Sequence, residues 1–153
     1  MIGEYEVVID GKGRFLFPSA LKKQIDPSNN DTFIVNRGFE KCLNIFPQIF
    51  WNKLVQYLNA NLNLFNSEHR RFYRALVNGA KMVTLDTQGR MLIPATLLQH
   101  AEIKKEAILL CYADRIEMWA PENYRQEISK ISSEEFARMG EEILGKITNI
   151  IGK

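Results

Sequence analysis

Two aspartate–arginine pairs carry the chemistry that can be read from this sequence. Asp10-Gly11-Lys12-Gly13-Arg14 recurs 76 positions later as Asp86-Thr87-Gln88-Gly89-Arg90. A short carboxylate ahead of a turn can accept hydrogen bonds from the turn's N–H groups, and it can also pair with an arginine. Asp10, Gly13, Asp86 and Gly89 are accounted for by turn chemistry alone. Arg14 and Arg90 are not, because a turn needs no arginine after its glycine and both copies have one. A guanidinium on a rigid tip suits a phosphate or the edge of a guanine. Lys12 adds a cation to the first tip, where the second has neutral Gln88. Acid–base catalysis is the rival chemistry for such pairs. No nucleophile–base arrangement, metal-ligand spacing or phosphate loop accompanies them, so neither an enzyme nor a metal or other cofactor is expected.

The elements that must hold these residues are also duplicated. Leu16, Pro18 and Leu21 match Leu92, Pro94 and Leu97 in the same register, so six identities fall within twelve positions. A β-rich run, a three-residue turn and a second β-rich run read as a hairpin, with glycine at the left-handed position. The strands are expected at Glu4 to Asp10 and Arg14 to Phe17. Pro18 and Pro94 then end each strand and suit the first turn of a short helix. Further strands are expected at Thr32–Asn36, Cys42–Phe46, Ala107–Tyr112 and Ile116–Trp119. Helical sequence runs from Pro47 to Tyr57, then an Asn-rich junction, Asn59–Asn66. Ser67 is the expected cap of a helix through Val77. Arg70, Arg71 and Arg74 on that helix fit a solvated face, phosphate contacts or an inter-subunit ion pair. After Pro121 one helix reaches about Lys130, and Ser132 or Ser133 caps a last amphipathic helix with Phe136, Met139, Ile143, Leu144 and Ile147.

Composition narrows the class. The chain has 153 residues, 46% of them hydrophobic, enough for one domain or two small ones. No apolar run is long enough to span a membrane and no signal-peptide pattern opens the chain, so a cytoplasmic protein is expected. Cys42 and Cys111 are isolated and fit small buried hydrophobes better than a disulfide or metal site. His69 and His100 stand alone. The formal net charge is only +2. Residues 1–77 carry 10 basic and 7 acidic residues, and residues 78–153 carry 10 and 11. A local basic surface, multiplied by oligomerisation, fits this better than a field over the whole molecule.

Two Asp-x-x-Gly-Arg motifs, each followed by an apolar strand and a proline, resemble the MraZ family of bacterial transcriptional regulators, of the AbrB-like swapped-hairpin class. The likeness extends through Gly3-Glu4-Tyr5-Glu6, Cys42-Leu43, Arg70-Arg71 with Arg74, Gly79-Ala80 and Glu117-Met118-Trp119. It implies an α+β fold in which two AbrB-like swapped-hairpin β repeats form one pseudo-symmetric barrel with flanking helices. Residues 1–78 would be the first repeat with its helical insert, and 79–153 the second with the C-terminal helices. It implies a homo-oligomeric ring, nucleoid-associated, that binds double-stranded DNA at tandem promoter repeats of the division and cell-wall gene cluster as a repressor. The motif positions it carries over are Asp10, Arg14, Asp86 and Arg90, with Lys12 in a basic position; the DNA contacts expected are Arg14, Arg90, Lys12 and Gln88, and Asp10, Gly13, Asp86 and Gly89 are structural. Gln88 departs from that pattern, and Leu97-Leu98-Gln99-His100 follows where more basic sequence is expected, which weakens the second tip. The alternatives are an AbrB-like antitoxin, which would bind a toxin as well as DNA, and a structural ring with no nucleic-acid role.

Overall fold

Each Asp-x-x-Gly-Arg motif closes a tight turn and then sends its two strands to different partners. The computed structural model describes residues 1–146. The first strand, β1 (Gly3–Val8), and the second, β2 (Arg14–Leu16), flank the first turn. They were expected to pair as a hairpin, and they do not. β1 pairs antiparallel with β7 (Glu106–Tyr112), from Gly3 opposite Cys111 to Val8 opposite Glu106. β2 pairs antiparallel with β6 (Arg90–Leu92), its counterpart in the second copy. The reason lies in the side chains after the glycine. Phe15 is 1% exposed and Phe17 4%, so β2 turns in over the core instead of extending the sheet. The backbone groups freed by that departure find partners in the other copy. Phe17 N–H donates to Gly89 O at 3.0 Å, and Ile93 N–H donates to Gly13 O at 2.9 Å.

The remaining strands are β3 (Thr32–Arg37), β4 (Leu43–Pro47), β5 (Lys81–Thr84) and β8 (Arg115–Trp119). With β1 and β7 they form a six-stranded sheet in the order β1-β7-β8-β4-β3-β5. Exchanging each strand for its counterpart reverses this order, so the duplication in sequence becomes a pseudo-two-fold in topology. β1 and β5 are the sheet's edges, and among the described residues no ladder joins them. The barrel implied by the resemblance is therefore not closed by strand pairing. The β2–β6 ribbon instead contributes Phe15, Phe17, Met91 and Ile93 to the apolar core that the sheet lines with Val35, Leu43, Ile45, Leu109, Ile116 and Met118. The fold is mixed α+β. Cys42 and Cys111 are both buried, as expected of small hydrophobes.

Two short helices follow the ribbon strands, α1 (Ser19–Lys22) and α4 (Ala95–His100). Pro18 and Pro94 hold extended backbone at their N-caps, and Leu21 and Leu97 anchor them with no exposed surface. The helical insert is α2 (Gln48–Asn61) and α3 (Ser67–Val77). α2 runs further than its apolar spacing suggested, leaving a junction of only a few residues. Asn66, not Ser67, caps α3: its side chain accepts from Glu68 N and His69 N. Two adjacent cap-forming residues competed, and the extended backbone at Asn66 decided the outcome. No residue of α3 is buried.

The chain divides into one unit from Met1 to Pro121 and another that begins at Glu122. The latter contains most of α5 (Pro121–Ile128) and all of α6 (Ser133–Gly145). Ser132 caps α6 in a capping box with Glu135, so the first of the two candidate serines takes the role. Phe136 is 71% exposed and Ile143 57%. Ile147, expected on the same helix face, lies outside the described residues.

Candidate nucleic-acid interface

The two turns are built alike, atom for atom. In the first, Asp10 N–H donates to Arg14 O at 2.8 Å and Gly13 N–H donates to Asp10 O at 3.0 Å. Asp10 Oδ1 accepts from Lys12 N and Arg14 N, both at 2.9 Å. Asp10 Oδ2 accepts from Arg14 Nε at 2.8 Å. In the second, Asp86 Oδ1 accepts from Gln88 N and Arg90 N at 2.9 Å, and Oδ2 from Arg90 Nε at 2.8 Å. Gly13 and Gly89 take φ of 86° and 78°, a conformation that favours glycine. Each aspartate thus serves both roles considered for it, turn acceptor and arginine partner.

This arrangement has a chemical consequence. The carboxylate holds each guanidinium by Nε alone. Among the described residues, Nη1 and Nη2 of Arg14 and Arg90 have no hydrogen-bond partner, so the outer fork stays available for a bidentate acceptor. The arginines are fixed at the root and free at the tip, as a pre-positioned reader of guanine O6/N7 or of phosphate needs.

Antiparallel pairing of β2 with β6 sets the two turns at opposite ends of one short ribbon. In the ribbon, Phe15 and Met91 face the core, while Arg14, Leu16, Arg90 and Leu92 face outward. Arg14 stands opposite Leu92, and Arg90 opposite Leu16. Two residues of strand rise and one strand spacing then place the arginine Cα atoms about 8 Å apart. Both fit within a major groove roughly 12 Å wide. One chain therefore offers a two-stranded face with an arginine at each end, a unit that sequence reading had divided between two separate hairpins. Leu16 is 65% exposed and Leu92 52%, and both join this face, although in sequence they count only as repeat identities and not as site residues. Their shared register with the arginines was the signal that could have marked them.

The arginine cluster of α3 lies elsewhere. Arg70 Nη1 donates to Leu64 O at 2.9 Å and so secures the junction before the helix. Arg70 and Arg74 border a cleft with Asn59, Leu64, Tyr73 and Val77, and no turn residue lines it. Arg71 is exposed. Lys104 and Lys105 are brought beside the first turn, although they are some 90 positions away in sequence. Among the described residues no group of three or more His, Cys, Asp or Glu side chains is placed to share a metal ion, and no helix is long and apolar enough to cross a membrane.

Both turn carboxyls are held below the ordinary aspartate value of 3.8, first by the backbone N–H of the arginine that follows. A depressed carboxyl contributes stability that is complete above its unfolded value and is lost as pH falls through the folded one. The turns should therefore stay intact from neutral pH down to about pH 4 and open only below it. Amide chemical shifts of Gly13 and Gly89 test this. Both should be flat across that range and titrate with midpoints under 3.8. A midpoint at or above the ordinary value would contradict the hydrogen-bond pattern.

A duplicated strand–turn–strand–helix protein with two aspartate-clamped arginines on one ribbon defines a narrow class. The family described as "MraZ protein, putative antitoxin-like" matches twice, over residues 1–75 and 76–146. The chain is 40% identical to the transcriptional regulator MraZ of Christiangramia forsetii over 146 residues, covering 95% of this chain and 93% of that one. It is 34% identical to the protein of that name from Cytophaga hutchinsonii, over 93% of each chain. It is also 34% identical to that of Bacteroides thetaiotaomicron, over 94% of this chain and 91% of that one. The chain belongs to the MraZ family.

Proposed function

We propose that this protein is a sequence-specific DNA-binding transcriptional regulator that inserts the β2–β6 ribbon into the major groove. The observation that carries the reading is the pair of guanidinium forks, each clamped at Nε by its own aspartate and displayed on one outward face. Arg14 is the principal contact and Arg90 the second, with Lys12 and Gln88 beside them. Asp10, Gly13, Asp86 and Gly89 hold the turns in shape. Arg71 and Arg74 supply secondary basic contacts, while Arg70 is engaged in its own junction. Family membership and the relatives' names support this assignment.

The finer reading follows from the same features. The chain comprises two swapped-hairpin repeats, 1–78 and 79–153. Support comes from the ladders β1–β7, β3–β5 and β2–β6, each joining a strand of one repeat to a strand of the other. The protein is a repressor of the division and cell-wall gene cluster, works on the nucleoid, and binds tandem promoter repeats as a homo-oligomeric ring. Exposed apolar side chains support assembly: Phe72 and Val77 on α3, and Phe136 and Ile143 on α6.

One ribbon reads too few base pairs for promoter selectivity, so the ring must supply it by linked binding. Anisotropy titrations of the oligomer against duplexes from its own upstream region test this. Affinity for a duplex with several repeats should exceed that for a single repeat by about 100-fold or more. Equal affinities would refute the linked-binding mechanism, and no binding by intact oligomer would refute the regulator reading.

A further inference from the structure

The two arginine turns are near copies, but their surroundings are not. We propose that Lys104 and Lys105, with Lys12, form a phosphate-binding flank to the first turn, which makes that turn the dominant DNA contact of the protomer. This inference rests on the DNA-binding reading above and adds to it a location and an inequality.

The flank is assembled across the repeats. Lys12 and Gly13 from the first copy and Leu98, Lys104 and Lys105 from the second line a cleft of about 490 Å³. Ile9 N–H donates to Lys105 O at 2.7 Å, which ties the lysine pair to the strand that leads into the turn. Lys104 and Lys105 are exposed, and among the described residues neither they nor Lys12 has a salt-bridge partner. Among the described residues the one acid that lines the cleft is Asp10, and both its oxygens are already engaged by the turn N–H groups and Arg14 Nε. Three cations therefore face the cleft with little local neutralisation.

The second turn shows what the alternative looks like. Leu85 N–H donates to Asp31 O at 2.9 Å, the counterpart of the bond from Ile9 to Lys105. By this register Asp31 occupies the place of Lys105, Asn30 that of Lys104, and Gln88 that of Lys12. The nearby cation, Lys22, is paired with Asp31 at 3.3 Å. At these three positions one flank carries three positive charges, while the other carries two neutral side chains and one negative charge that Lys22, at the place of Leu98, offsets. Groove insertion of either turn brings its shoulders toward the sugar–phosphate walls, where cations gain counterion-release energy and an aspartate is repelled. Phosphate contacts fix position without reading sequence, so the lysines would set register and affinity while the arginines set specificity.

The test uses full-length oligomeric protein and a fluorescein-labelled duplex from its own upstream region, titrated at salt concentrations from about 0.05 to 0.3 M. Lys104→Ala/Lys105→Ala should flatten the log–log salt slope by about 0.9 for each phosphate that the lysines no longer neutralise, and weaken binding about tenfold at low salt. Its preference for the specific over a scrambled duplex should be unchanged. Asp31→Asn, which tolerates the φ of 52° at this position and releases Lys22, should instead tighten binding. Wild-type slope and affinity in the lysine variant, with binding abolished in Arg14→Ala, would overturn the flank and leave the DNA reading standing. Unchanged affinity in Asp31→Asn would overturn the inequality. Failure of the wild type to bind the duplex would overturn both readings together.

Discussion

Arg14→Ala should abolish selective DNA binding while leaving the fold in place. A bidentate arginine–guanine contact contributes about 1–3 kcal/mol of discrimination, and two engaged protomers would lose about twice that, roughly 30-fold to 10⁴-fold in affinity. The side chain is half-buried at the surface and belongs to no part of the apolar core, so thermal stability should change little. Arg14→Lys separates charge from shape. Lysine keeps the positive charge but lacks the planar fork, so it should retain non-specific, salt-sensitive binding and lose preference for the promoter duplex. Arg90→Ala should follow the same direction with a smaller effect, since Gln88 and Asp31 flank its turn.

Asp10→Ala provides the sharper contrast. If the turn acted through net charge alone, deleting a carboxylate beside Arg14 would strengthen binding to a polyanion. The structure gives the opposite expectation. Asp10 accepts two backbone N–H groups and the Nε of Arg14, so its removal frees the guanidinium to wander and opens the turn. Affinity for the promoter duplex should therefore fall, even though the protein becomes more positive. Anisotropy against specific and scrambled duplexes measures both quantities. Tighter specific binding by this variant would show that pre-positioning of Arg14 contributes nothing.

What was legible in the sequence was local. Glycine at a positive φ, an acid three residues before it and an arginine after it form a unit whose bonds close within five residues, so their spacing was enough to place them. The short helices after Pro18 and Pro94 were legible for the same reason. Strand partnership was not. Val7-Val8-Ile9 and Phe15-Leu16-Phe17 each read as β, but alternation of apolar residues says only which face is buried, not which neighbour supplies the N–H groups. The local hairpin was the simplest assignment, and the burial of Phe15 and Phe17 overrode it. Lys104 and Lys105 were invisible as site residues because only the pairing of β1 with β7 carries them to the first turn. The same exchange of strands turned two supposed hairpin tips into one ribbon with an arginine at either end.

Phe15→Ala should be the most destabilising single substitution in the ribbon. Phe15 is 1% exposed and stands opposite Met91, which is fully buried. Its ring centroid lies 6.5 Å from that of Phe17, which is in turn 5.0 Å from Phe33 of the sheet. Truncation removes the side chain that seats the ribbon on the core and leaves a cavity that the short ribbon cannot close without shifting. Phe→Ala changes of this kind cost about 3–5 kcal/mol, against a total stability of roughly 5–15 kcal/mol for a domain. Tm should drop by about 10–20 °C in a circular-dichroism melt. Because Phe15 and Met91 come from different repeats, truncation also weakens the coupling between them. Met91→Ala alone should cost about 2–5 kcal/mol, and the double variant should cost less than the sum by about 0.5–3 kcal/mol. That shared term matters for function, since the Phe15–Met91 pair fixes the separation of Arg14 and Arg90 on the opposite face of the same two strands. Phe15→Ala should accordingly weaken promoter binding even well below its lowered Tm, where the protein is still folded. Strictly additive losses, or wild-type DNA affinity at such a temperature, would mean that the two arginines are positioned by their own turns alone and that the ribbon core does not link them.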